Sequence, residues 1–208
     1  MSTVQIPPPR VSLATLPLDQ KRGMHGMWCV IATESMLFVT MFAAYYYLGS
    51  NKDRWADLVA PKWWLALILM VILLASSAVL MWGEHQVKKG GFTAARIALW
   101  VTVLMGLGFL ALQGFEYAVE WKDTTPYSDS YGSIFYAITS LHALHVIAGL
   151  LLLMYVGVMP RYGPTARTPH KPYTTVGMYW HFVDAVWVFI VLLLYIIPNL
   201  QRYMHVHH

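Results

Sequence analysis

Five long apolar segments constrain this chain more than any other feature of its sequence. They cover residues 24–48, 63–85, 92–121, 131–159 and 173–198. Each has the roughly 20 mainly apolar residues that a helix needs to cross the hydrocarbon core of a membrane. None shows the alternation of a barrel strand, and the helix is the other backbone form whose hydrogen bonds are satisfied within lipid. The sequence therefore predicts an all-α, polytopic membrane protein built as a bundle of five transmembrane helices.

The composition of the whole chain agrees with that fold class. Of its 208 residues, 58% are hydrophobic and 12% are charged, whereas soluble domains carry about 25% charged residues. The single cysteine, Cys29, excludes an intrachain disulfide and a cysteine-based metal cluster. We expect a polar, proline-rich N-terminal tail at 1–23, a five-helix transmembrane domain at 24–200 and a short C-terminal tail at 201–208.

The positive charges predict how the chain is oriented. The net charge is +4, but the basic residues lie between apolar segments, so we expect no binding to nucleic acid. One set of segment ends carries nine of them: Arg10, Lys21, Arg22, Lys88, Lys89, Arg96, Arg161, Arg167 and Lys171. The opposite set carries five: Lys52, Arg54, Lys62, Lys122 and Arg202. Because basic residues favour the cytoplasmic side, we expect a cytoplasmic N-terminus and an outer C-terminus in a bacterial inner membrane.

Aromatic and small residues suggest how the helices meet lipid and each other. Aromatic side chains near the segment ends are expected to form interfacial belts; they include Trp63, Trp64, Trp82, Trp121 and Trp180. Small residues allow helices to approach closely; they include Ser76, Ser77, Gly106, Gly108 and Gly149. For most of these small residues, packing within the bundle is the expected role.

Glu34 lies near the middle of the first predicted span, with no basic residue within one helical turn. Loss of water at that depth disfavours a charged carboxylate, so we expect a neutral acid. An ionisable residue in a membrane span is by default a functional candidate. Two interpretations of Glu34 stay open: proton handling, and a neutral acid that is hydrogen-bonded to a neighbouring helix.

Four further ionisable residues lie in the last two predicted spans. His142 and His145 are three apart and are expected to share a helix face, as are His181 and Asp184. Histidines from two helices could ligate haem or copper, with Asp184 orienting His181 as an outer partner. Spacing alone is weak support for such a site, and hydrogen bonding between helices is the expected role of these residues.

Glu84 and Glu116 lie late in the second and third predicted spans. For both, the default interpretation is a carboxylate that reaches the membrane interface along its flexible stem. Glu116 is also a candidate for a buried polar contact, because an aromatic and glycine-containing stretch, residues 113–117, surrounds it.

The order of several motifs resembles subunit III of the haem–copper terminal oxidases, the cytochrome c oxidase subunit 3 family. The similar segments are Trp28 with Glu34-Ser-Met-Leu-Phe38, Leu74-Ala-Ser-Ser77 with Glu84-His85, Gln113-Gly-Phe-Glu-Tyr117, Tyr131-Gly-Ser-Ile-Phe-Tyr136 with His142-Ala-Leu-His145, and Tyr179-Trp-His-Phe-Val-Asp184. The likeness extends over most of the chain. Long members of the family have seven spans, and this chain resembles a short form that lacks the first two.

The resemblance implies a non-catalytic subunit that holds no haem or copper itself. Its partners would be the catalytic subunit I, which holds haem and copper, subunit II, membrane lipids including bound phospholipid, and a respiratory supercomplex. It would support proton uptake and the durability of the catalytic subunit, with Glu34 at the position of the family's intramembrane carboxylate. The histidines are then structural.

Two other interpretations stay open. Five-span relatives also occur in quinol oxidases and beside bacterial nitric oxide reductase, so the electron donor and the acceptor are not decided by the resemblance. The alternative from another class is a stand-alone haem- or metal-binding membrane protein that uses His142, His145 and His181.

Overall fold

The computed structural model describes residues 16–50, 63–120, 130–158 and 170–206, and all of these except the turn at 89–91 are helical. The helices are α1 (Leu16–Ser50), α2 (Trp63–Lys88), α3 (Phe92–Glu120), α4 (Ser130–Val158), α5 (His170–Ile190), a π-helical segment (Val191–Ile196) and α6 (Ile197–Val206). Five helices are long and apolar enough to span a membrane, which confirms the predicted fold class. The start of the N-terminal tail and most of the predicted loops lie outside the described residues.

The helices run further than the predicted spans at both ends of the chain. Helix α1 begins at Leu16, inside the segment expected to be a polar tail. The last span continues without a break from α5 through the π-helical segment into α6, which ends at Val206. Hydrophobicity marks the part of a helix that lies in lipid, so it does not locate ends that extend into water.

A tight glycine turn joins α2 to α3. Gly90 has a positive φ of 83°, which glycine adopts without the steric cost of a β-carbon. The Gly91 amide donates to the Gln86 carbonyl at 2.8 Å and the Gly90 amide to the Val87 carbonyl at 3.1 Å. These two bonds form a Schellman motif that satisfies carbonyls at the end of α2. Helices α2 and α3 are therefore held as a hairpin.

Four helices form a closed group, and the fifth lies at its edge. Helix α2 packs against α3 and α5, and α4 packs against the same two helices. Helix α1 packs mainly against α4 and α5. Among its residues, Phe38 and Tyr45 reach the buried core, while large apolar side chains such as Met36 and Tyr47 are exposed. Helix α1 therefore offers most of its surface to lipid or to another protein.

Trp180 lies at the centre of the four-helix group. It is fully buried, and its indole N–H donates to the Ser76 hydroxyl of α2 at 3.0 Å. A β-carbon on Gly106 of α3 would lie 2.8 Å from this indole, and one on Gly149 of α4 would lie 2.9 Å from it. The prediction that Trp180 belongs to an interfacial belt is wrong, because two glycines open a slot for it inside the bundle.

The π-helical segment in the last span has an identifiable cause. Pro198 has no backbone N–H, and in an α-helix its ring would meet the carbonyl four residues earlier. The backbone widens by one residue before it, and the Ile197 amide donates to the Leu192 carbonyl, five residues back. Such π-helical turns are often found at functional sites. Here the wider turn contains Tyr195, which is fully buried.

Candidate functional site

Glu34 and His145 meet between α1 and α4. The His145 Nε2 atom lies 3.0 Å from the Glu34 Oε2 atom, and the His145 ring packs edge-on against Phe38 with centroids 5.0 Å apart. The Glu34 side chain is 33% exposed and that of His145 is 11% exposed. The basic partner that is missing from the sequence around Glu34 is therefore supplied by another helix.

The other nitrogen of His145 limits the proton arrangements of this pair. Its Nδ1 atom lies 2.7 Å from the Leu141 carbonyl oxygen. A carbonyl oxygen accepts and does not donate, so Nδ1 carries a proton. Two arrangements are then compatible with the contact: a protonated Glu34 that donates to Nε2, or an ionised Glu34 that accepts from a charged imidazolium. They differ only in the position of one proton, so the pair can hold a proton between two helices.

A second polar contact joins α2 to α5. The Ser77 hydroxyl oxygen lies 2.7 Å from His181 Nδ1, and the same hydroxyl is hydrogen-bonded to Asp184 Oδ2. Asp184 is 4% exposed. His181 and Asp184 share a helix face as expected, but Asp184 reaches His181 through Ser77. This serine was expected only to allow close packing.

Glu84 also lies where α2 packs against α5, nearer the end of α2 than Ser77. It forms an ion pair with Lys88 at 2.9 Å and accepts a hydrogen bond from the Thr174 hydroxyl at 2.9 Å. Its side chain is 22% exposed. Glu84 therefore lies at the rim of the bundle, with partners from its own helix and from α5.

Glu116 is buried, so the default interpretation that it reaches the interface is wrong. It is 2% exposed. The Gln113 amide donates to one of its carboxyl oxygens at 3.2 Å, and the Tyr195 hydroxyl donates to the other at 3.3 Å. Because Tyr195 lies in the π-helical segment, Glu116 links α3 to the irregular turn of the last span.

His142 and His145 contact different neighbours although they are one turn apart. His142 is fully buried, between Trp187 of α5, at a centroid distance of 4.9 Å, and Phe109 of α3, at 5.8 Å. Neither ring nitrogen of His142 has a hydrogen-bond partner among the described residues. The two histidines therefore contact different helices: His145 contacts α1, and His142 contacts α3 and α5.

The described part of the chain does not bring together three side chains of His, Cys, Asp or Glu that could hold a metal ion. His181 meets Ser77 and Asp184, His145 meets Glu34, and His142 packs among aromatic rings. The absence of haem and copper from this chain nevertheless stays a prediction, because part of the chain lies outside the described residues.

Sequence reasoning missed Ser77, Thr174 and Tyr195 as partners of ionisable groups. A signal for the first two was present, because Ser77 and Glu84 are seven residues apart on α2, and Thr174 and His181 are seven apart on α5. A seven-residue spacing keeps side chains on one face of a helix. Polar residues at that spacing on two helices indicate one polar seam.

These features define a class: a polytopic helical membrane protein in which several ionisable side chains, among them Glu34, Glu84, Glu116 and Asp184, are bonded to neighbouring helices. The family model of cytochrome c oxidase subunit III matches residues 17–198, and the chain belongs to that family.

Similar proteins come from several different organisms. The cytochrome c oxidase subunit 3 of Alkalihalophilus pseudofirmus is 34% identical over 185 residues, which cover 86% of this chain and 88% of that protein. The protein of the same name from Thermostichus vulcanus is 32% identical over 183 residues, 84% of this chain and 87% of that protein. The Triticum aestivum protein is 33% identical over 180 residues, but these cover only 67% of its length and 82% of this chain.

Proposed function

We propose that this chain is the non-catalytic subunit III of a cytochrome c oxidase, a membrane enzyme that couples oxygen reduction to proton pumping. In this role it holds no haem or copper, packs beside the catalytic subunit I and subunit II, and binds phospholipid. It supports proton uptake and protects the catalytic subunit during turnover. The observation that carries the proposal is the family match over nearly all of the described bundle.

The placement of the ionisable groups supports a structural and proton-related role. Glu34 is bonded to His145, Asp184 to Ser77 and Glu116 to Tyr195, each time across two elements of the bundle. Among the described residues, none of these pairs is part of a group of three side chains that could hold a metal ion. The exposed apolar surface of α1 is suited to contact with a larger membrane subunit, with lipid, or with a respiratory supercomplex. The proposed orientation places the N-terminus in the cytoplasm of a bacterial cell.

A quinol oxidase is the second candidate within the same class, because five helices of the described residues are long and apolar enough to span a membrane. The assembly beside nitric oxide reductase is the third. No specific contact in the bundle favours either of these two candidates. The electron donor and the electron acceptor used by the purified complex distinguish the three candidates.

The test follows oxygen uptake over many turnovers by matched complexes with and without this chain. We expect equal initial rates, followed by faster inactivation of the complex that lacks the chain, because slow proton delivery prolongs reactive oxygen intermediates. Adding the chain back during assembly is the control and should restore durability. Equal durability at equal initial rates would refute the protective role, and immediate loss of activity with intact haem would assign the chain a part in catalysis.

A further inference from the structure

The contact between α2 and α5 contains an arrangement that the proposed function does not use. One hydroxyl, that of Ser77, touches a ring nitrogen of His181 at 2.7 Å and a carboxyl oxygen of Asp184. The other carboxyl oxygen of Asp184 has no hydrogen-bond partner among the described residues. An imidazole and a buried carboxyl group are thus joined through a single hydroxyl.

The protons of this arrangement can be counted. A serine hydroxyl has one proton to donate and accepts through its lone pairs. When Ser77 donates to an ionised Asp184, the bond from Ser77 to His181 requires a proton on His181 Nδ1. When Asp184 is protonated and donates to Ser77, the serine donates to His181, and Nδ1 must be free of its proton. The protonation of Asp184 and the tautomer of His181 are therefore linked.

We propose that Ser77 relays protons between His181 and Asp184, so that a proton taken up at His181 Nε2 appears on the Asp184 carboxyl group. In this step an Nε2–H bond forms and the Nδ1–H bond breaks. The Nδ1 proton forms a new O–H bond on Ser77, and the original Ser77 proton forms an O–H bond on Asp184. The imidazole is neutral before and after, and one carboxylate has become a carboxylic acid. The reverse step releases the proton from Nε2.

The two ends of the relay differ in burial. Asp184 is buried, whereas His181 is only partly buried. Glu84 and Thr174 lie seven residues from Ser77 and His181, towards the end of α2, and the Thr174 hydroxyl donates to the Glu84 carboxylate at 2.9 Å. The seam therefore runs from a rim that contains an ion pair, Glu84 with Lys88, to a buried acid. A proton can be held at its inner end away from water.

Five other ionisable side chains, on α1, α3 and α4, have partners of their own or lie among aromatic rings. Glu34 and His145 are paired with each other, and the Arg96 guanidinium donates to the Gly157 carbonyl at 3.0 and 3.2 Å. Glu116 is bonded to Gln113 and Tyr195, and His142 packs against Trp187. Among these bonds, none joins the Asp184 carboxyl group.

The test uses the whole oxidase complex with isotope-labelled histidine and aspartate. Infrared spectroscopy follows the carboxylic acid band of Asp184, assigned by its loss in Asp184→Asn. Nitrogen NMR follows the tautomer of His181, assigned by its loss in His181→Gln. As the pH is raised, we expect the acid band to disappear in the same step in which His181 changes from the Nε2–H to the Nδ1–H tautomer.

Two variants of Ser77 separate the relay from simple proximity. Ser77→Thr keeps the hydroxyl and should keep the linked step. Ser77→Ala removes it, so Asp184 should titrate without a change of tautomer at His181. Retention of the linked step in Ser77→Ala would overturn the proposal. If Ser77→Ala is not retained in the complex, the native protein still decides, because a His181 tautomer that stays constant while Asp184 titrates would also overturn it.

Discussion

The slot for Trp180 makes a prediction that contrasts two glycines of α3, the buried Gly106 and the exposed Gly108. A β-carbon at Gly106 would lie 2.7 Å from Leu150 Cδ2 and 2.8 Å from Trp180 Cη2, whereas one at Gly108 would have no atom within 4 Å among the described residues. The Leu150 methyl group can move aside. The indole cannot move as easily, because it is a rigid ring whose N–H is bonded to Ser76.

The expected magnitude follows from two opposing terms. Inserting a methyl group into a packed core costs about 1–3 kcal/mol, and replacing glycine by alanine within a helix contributes up to about 1 kcal/mol of stability. Gly106→Ala should therefore lower the free energy of unfolding by up to about 2 kcal/mol, since the cost of inserting the methyl group exceeds the gain in helix propensity. Gly108→Ala has only the second term and should leave the stability unchanged or slightly raised.

The measurement is equilibrium unfolding of the purified chain in mixed micelles of increasing denaturing detergent, followed by the helical circular dichroism signal. A double variant provides the internal control, because the phenyl ring in Trp180→Phe does not extend to the position of Cη2. Gly106→Ala should then cost less in the Trp180→Phe background than in the native one, which a double-mutant cycle measures. Equal stability of Gly106→Ala and Gly108→Ala would refute the reasoning.

Two further predictions concern orientation and the contact of α1. A cysteine at Ser2 should be protected from an impermeant thiol reagent in intact cells, and a cysteine at Gln201 should be labelled; labelling of Ser2→Cys would reverse the proposed topology. His145→Leu should cost about 1 kcal/mol of unfolding free energy, because it removes a hydrogen bond between α1 and α4. Glu34→Gln, which keeps a donor for His145, should cost less, and the opposite order of the two variants would show that the contact does not stabilise the bundle.

The five spans were predictable because long apolar runs depend only on composition along the chain. The partners of ionisable groups were not, because they depend on how each helix is rotated against its neighbours. Glu34 finds its base, His145, on a helix far away in sequence. The position of Glu116 late in the third span predicts a place near the interface, yet the π-helical turn brings Tyr195 to it and both are buried.

The contacts of the small residues were also not predictable from the sequence. Gly106 and Gly108 are equivalent in a sequence pattern, since both can let helices approach closely. Only the packing shows that Gly106 contacts the indole of Trp180 and that Gly108 does not. The Ser76–Ser77 pair likewise looks like a packing feature, although Ser76 binds Trp180 and Ser77 joins His181 to Asp184.

The central claim is that this chain belongs to a terminal oxidase without holding its redox centres. The most direct measurement is an optical spectrum of the affinity-purified complex, repeated on the chain and on its large partner subunit after mild dissociation. The account predicts that a haem- and copper-containing membrane subunit copurifies with the chain, and that the haem Soret band stays with that subunit. A stoichiometric Soret band on the isolated chain would contradict the account and would favour a haem site built from its own histidines.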